Sequence, residues 1–138
     1  MRRAATILFA LLAMPVPASA FTANALLGRW FGTGQPEDKS RMYIDNFLTG
    51  GVFRGEHRLC LKGKAYDSGQ TGHWTVNGDR LTVHIETEDN GVAPRDDLYR
   101  IVSLDAKTHK YIYLPMNFPY TAHKVEAGFV MPPCDLTS

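Results

Sequence analysis

Past its first twenty residues this sequence has no apolar run long enough to cross a bilayer as a helix. It also lacks an excess of either charge. Setting aside Arg2 and Arg3 from the 15 basic residues leaves 13, against 14 acidic ones. That balance predicts no electrostatic footprint for nucleic acid or anionic lipid. There is no glycine-rich phosphate loop, no His-Glu-x-x-His and no Cys-x-x-Cys. Ser68 and Ser103, the serines on the central strands or their bends, lack the Gly-x-Ser-x-Gly context of a nucleophile elbow. The carboxylates of Glu86, Glu88, Asp89, Asp96 and Asp97 fall in and beside a long polar loop and read as solvated charge. These gaps leave the chain without an enzyme signature, and they imply no cofactor and no resident metal.

Cysteine is scarce too, and its two copies are informative. Residues 1–20 have the layout of a secretory signal: basic Arg2-Arg3, an apolar stretch from Ala4 to Val16, and Ala18-Ser19-Ala20 as a small-residue cleavage site. A mature chain starting at Phe21 would keep 118 of the 138 residues, enough for one core and too few for two domains. It would be exported, to a periplasm or outside the cell, with no membrane span after cleavage. Both Cys60 and Cys134 remain in that mature chain, and an oxidising compartment favours joining them. The bridge would close a loop of about 74 residues and stabilise by roughly 4 kcal/mol on the chain-entropy account. Two separate thiols, one on a strand and one in a loose tail, are the alternative.

What the sequence does have is a succession of short β signals. Asn77-Gly78 sits between Gly72–Val76 and Leu81–Ile85 and predicts a type I′ hairpin, with Trp74 opposite Leu81 and His73 opposite Thr82. Around it, strands are expected at Leu27–Thr33, Arg41–Phe47, Val52–Leu61, Lys64–Val76, Arg80–Thr87, Leu98–Leu104, Lys110–Leu114 and Tyr120–Glu126, after a short helical turn or lead-in from Phe21 to Leu27. Asp67-Ser68-Gly69 suggests a bulge. In the second strand Met42 and Ile44 are expected inward, with Arg41, Tyr43 and Asp45 outward. In the third, three charges on one side make Phe53, Gly55, His57, Leu59 and Leu61 the core face and put Cys60 outside. Residues 21–127 then form one β domain and 128–138 an irregular tail. Eight antiparallel strands joined by tight turns predict an all-β, up-and-down barrel, because closure removes exposed edges. A two-sheet sandwich satisfies the same strand pattern.

Three groups of residues could carry chemistry. An inward His57 among Phe53, Leu59 and Leu61 needs a polar partner, either a core neighbour or the head group of a ligand. His73, His84 and Glu86 share the outer face, but two histidines fall short of a zinc set, and solvated surface residues are the plainer account. Tyr99, Tyr111, Tyr113, Phe118 and Tyr120 crowd the last three strands. Turned inward they would wall a ligand; turned outward they would make a protein interface.

Gly28-Arg29-Trp30 near the start of the mature chain, ahead of an eight-strand meander and echoed by Gly72-His73-Trp74, resembles the lipocalin-like (calycin) barrels. The resemblance implies that Trp30 closes one barrel end, with Lys124 packed across it where the family usually has arginine. It also implies a small apolar or amphipathic ligand in the barrel interior, lined by Trp30, Phe53, His57, Trp74 and Tyr99, in a void of a few hundred Å³. The competing expectation is a protein-binding or envelope-associated module, for example an inhibitor of an exported hydrolase, that uses an exposed aromatic face.

Overall fold

Glycine turns and alternating side chains leave this chain one economical way to pair its backbone: each strand with the next. The computed structural model describes residues 21–34 and 38–135. The expected signal peptide and the last three residues of the tail lie outside the described residues. Eight strands follow in order: β1 (Gly28–Thr33), β2 (Arg41–Leu48), β3 (Val52–Leu61), β4 (Lys64–Asn77), β5 (Arg80–Glu88), β6 (Arg95–Leu104), β7 (Thr108–Tyr113) and β8 (Phe118–Val125). Every neighbouring pair is antiparallel, and β8 pairs back onto β1, so the sheet is a closed up-and-down barrel. No edge strand is left to template aggregation. A short helix, α1 (Ala23–Leu26), lies ahead of β1, and the Phe21 amide donates to the Gly78 carbonyl in the β4–β5 turn. That contact ties the N-terminal segment across one end of the barrel.

The hairpin at Asn77-Gly78 forms with a different register from the one expected. Asn77 pairs with Arg80, so Gly78 and Asp79 are the central residues. Gly78 takes a positive φ of 63° and Asp79 does not, which is the pattern of a type II′ turn. The type I′ pattern occurs instead at Lys62-Gly63, where both φ angles are positive. The shift is by two residues, so Trp74 stays inside, now opposite Val83, and His73 faces His84 rather than Thr82. The bulge is not at Asp67-Ser68-Gly69: β4 runs through it, and the β4–β5 register breaks between Thr71 and Gly72.

Two further expectations are corrected. In β2 the faces are reversed. Tyr43 pairs with Gly32 and His57, Asp45 with Trp30 and Gly55, and Phe47 with Gly28 and Phe53, so all three point into the barrel. Met42 and Ile44 are buried on the outer wall. The C-terminal segment covers that wall. Phe129 packs on Phe31 with ring centroids 5.1 Å apart. Arg29 Nη1 donates to the carbonyls of Ala127 (2.5 Å) and Phe129 (2.9 Å), Arg58 Nη1 to that of Pro132 (2.9 Å), and Cys60 is bonded to Cys134. In β6 the strand begins at Arg95, three residues before its expected start, so Asp96 and Asp97 belong to it and not to the loop.

Candidate functional site

The barrel has a sealed end and a hollow one. At the sealed end Leu26 and Trp30 are wholly buried, and the indole Nε1 of Trp30 donates to the Leu26 carbonyl at 2.8 Å. Trp74 lies beside them, its Nε1 donating to the Leu48 carbonyl (3.1 Å) and its ring edge-on to Phe47 at 5.4 Å. Lys124 pairs with Trp30 across β1 and β8 and holds its ammonium 4.5 Å from the indole centroid, where it also donates to the Leu27 carbonyl. This is the arrangement the resemblance implied. His109 completes the floor, its ring edge-on to Trp30 at 5.7 Å. Burial pushes its pKa down to about 4 and keeps it neutral, and its Nε2 is buried without a hydrogen-bond partner.

Above that floor lies a cavity of about 540 Å³. It extends from Phe47, Phe53 and Leu81 to Arg41, Tyr66 and Asn90 at the far rim. Two walls differ in chemistry. One is aromatic. Tyr111 stacks on Tyr120 with centroids 5.5 Å apart, meets Tyr99 edge-on at 5.4 Å, and donates its hydroxyl to that of Tyr43 at 2.6 Å. Gly32 makes this possible: a β-carbon there would lie 2.4 Å from the Tyr43 hydroxyl, so the ring occupies the space of the missing side chain. Burial raises the pKa of Tyr43, Tyr99 and Tyr111, and all three remain protonated phenols.

The other wall is ionic. Arg95 donates to Asp97 through Nε (3.0 Å) and Nη2 (3.2 Å), to both oxygens of Glu88, and through Nη1 to the Val92 carbonyl at 2.8 Å. Gln70 Nε2 donates to Glu88 at 2.6 Å. Glu88 is held below the usual carboxylate range, chiefly by its bonds to Arg95. His57, on β3, pairs with Tyr43 and Ser68; burial lowers its pKa, and Glu88 and then Gln70 partly offset this. Asp45 is different. It lines the cavity and is partly accessible from it, accepts no hydrogen bond from another described residue, and has its pKa raised to about 7, first by burial and then by Asp97. An ordinary aspartate at neutral pH is fully ionised.

Of the residues expected to line a ligand, Phe53, His57 and Tyr99 border the cavity, while Trp30 and Trp74 form the packed floor beneath it. The tyrosines of the last three strands include Tyr99, Tyr111, Tyr113 and Tyr120 on the cavity wall, and Tyr66 is the single aromatic among the large exposed apolar side chains of the described residues. Tyr43, Asp45, Gln70, Glu88, Arg95 and Asp97 were not anticipated there. The signal for part of this set was present: Arg95, Asp97, Tyr99 and Ile101 alternate, as one strand face does. On the outer wall His73 bonds Glu86 at 2.6 Å and His84 bonds Asp96 at 2.5 Å. Among the described residues, no group of three or more His, Cys, Asp or Glu side chains is placed to hold a metal. No protein-family model matches the chain and no curated protein matches it by sequence, so the fold and this cavity carry the functional reading.

Proposed function

We propose that this chain is an exported, lipocalin-like binding barrel that holds one small amphipathic molecule in its interior and performs no chemistry on it. The observation that carries this is the cavity of about 540 Å³, within the size range of small-molecule sites and lined by tyrosine rings and aliphatic side chains on one part of its wall and by charged and polar groups on another. A barrel built only for stability would fill that space, since an unfilled core forfeits packing energy. The inward tyrosines favour an enclosed ligand over a protein docked on an aromatic surface. Trp30 beneath Lys124 at the sealed end supports the lipocalin-like assignment. The Cys60–Cys134 bond supports export to an oxidising periplasm or extracellular space.

The test is native mass spectrometry of the protein purified from its own compartment. The expected spectrum shows an adduct with the mass of one small molecule, lost on gentle activation. Bare protein throughout, or an adduct with the mass of a second polypeptide, would overturn the proposal.

A further inference from the structure

We propose that the cavity is a site for an organic cation: an ammonium group seats on the Asp45 carboxylate while its organic body lies among Tyr43, Tyr99, Tyr111 and Tyr120. This inference rests on the ligand-binding reading above and names the class of ligand.

Asp45 is placed for this by what its neighbours cannot offer. Its cross-strand partners are Trp30 and Gly55. The single donor of Trp30 is taken by the Leu26 carbonyl, and Gly55 has no side chain. Arg95, the guanidinium on the ionic wall, directs its donors to Glu88, Asp97 and Val92. The amide of Gln70 is committed to Glu88. The groups that face Asp45 electrostatically are Asp97 and the hydroxyls of Tyr43, Tyr99 and Tyr111, none of them positive. A carboxylate walled in by protein on every side but the cavity is costly to ionise, and the partner missing on the cavity side is a donor that carries charge.

The charge count points the same way. Three carboxylates border the cavity, Asp45, Glu88 and Asp97, and Arg95 pairs with two of them. His57 is kept towards its neutral form by burial. The two other lining arginines belong to the rim end: Arg58 is bonded to Asp67, and Arg41 is exposed and acts on Tyr120 and not on Asp45. An anion entering this space meets an uncompensated carboxylate, whereas a cation supplies what is short. The tyrosine rings add to the preference, because their π faces attract a cation that has given up its water. A neutral donor would gain the hydrogen bond alone.

Calorimetric titration of the mature, disulfide-bonded protein with phenethylammonium and with phenethyl alcohol, its neutral isostere, tests the inference. Slightly below neutral pH the ammonium should bind about tenfold more tightly than the alcohol. Its binding heat should vary between buffers of different ionisation enthalpy, because seating the cation drives a proton off Asp45; the alcohol should release none. Asp45→Asn should abolish both the preference and the proton release, and Asp96→Asn on the outer wall should abolish neither. The proton release is read on the unaltered protein, so it does not depend on the variant folding. Equal affinity for the two probes, or a preference that survives Asp45→Asn, overturns the cation site and leaves the ligand cavity standing. Binding of neither probe overturns both.

Discussion

At the floor of the barrel, Leu26, Trp30 and His109 are sealed from water, and their neighbours Phe47, Phe53 and Trp74 are nearly so. A few ångströms higher, the same eight strands surround an open volume with Asp45, Glu88, Arg95 and Asp97 on its wall. Each end contains a polar group without a protein partner: Nε2 of His109, sealed below, and the Asp45 carboxylate, partly open to the cavity above. The two differ in what they cost. A neutral imidazole loses one hydrogen bond against aromatic rings, whereas an ionised Asp45 would be poorly solvated beside another acid. The sealed end therefore reads as the part that holds the barrel closed, and the hollow end as the part kept at some cost to stability.

The division breaks first at Trp30. Replacing this buried indole with alanine should destabilise the protein by about 3–5 kcal/mol, from lost burial plus the void left under α1. Denaturant unfolding followed by tyrosine fluorescence or circular dichroism would measure it. A loss of comparable size from Tyr99→Phe, which removes one hydroxyl from the cavity wall, would erase the distinction between the two ends.

Much of the sealed end was legible in the sequence, and less of the hollow end. At the sealed end Trp30 and Lys124 could be anticipated because each depends on one residue in a recognisable place, on the first strand and on the last; so could the Cys60–Cys134 bond, on the outer wall towards the hollow end, as the sole pair of thiols. The polar wall was harder. Strand alternation separates a sequence into two faces, and only a contrast in polarity says which face is inside. In β2 that contrast misleads, since Met42 and Ile44 are buried by the C-terminal segment while Tyr43 and Asp45 go inward. A strand covered on both sides has two plausible interiors. Asp97 was misplaced for a related reason: with Asp96 beside it and a polar loop before it, the pair resembled solvated charge until Arg95 was seen to neutralise it.

The hollow end should declare itself in the pH dependence of stability. Asp45 has a folded pKa of about 7 against an ordinary 3.8, so its contribution is fully present below 3.8 and is lost as the pH rises through about 7. His109 works in the opposite direction. Its folded pKa of about 4 lies below the ordinary 6.5, so its contribution is lost as the pH falls from 6.5 towards 4. His57, whose pKa burial also lowers, adds to the slope of His109, so between those limits the histidine and aspartate slopes oppose and the native profile should be shallow. Asp45→Asn removes one slope and exposes the other. The variant should gain stability relative to the native protein as the pH rises, by on the order of 2 kcal/mol above neutrality. Parallel urea titrations across this range would show it. A constant difference between variant and native protein would mean that Asp45 ionises freely in cavity water.

The smallest effect sharpens the contrast most, because Lys124 touches the sealed end from outside. Its ammonium lies over Trp30 and donates to the Leu27 carbonyl, but the residue is exposed, and partial burial lowers its pKa below the normal lysine range. A cation over an indole at an exposed site contributes about 0.5–1 kcal/mol. Lys124→Ala should therefore cost no more than about that amount in urea unfolding. The variant should also lose most of its difference when measured in high salt, which screens exposed charge. If the loss instead approached that of Trp30→Ala, the lysine would be acting as a lid whose removal lets water reach the indole. The boundary between stabilising floor and open cavity would then have to be drawn through β8 rather than above Trp30.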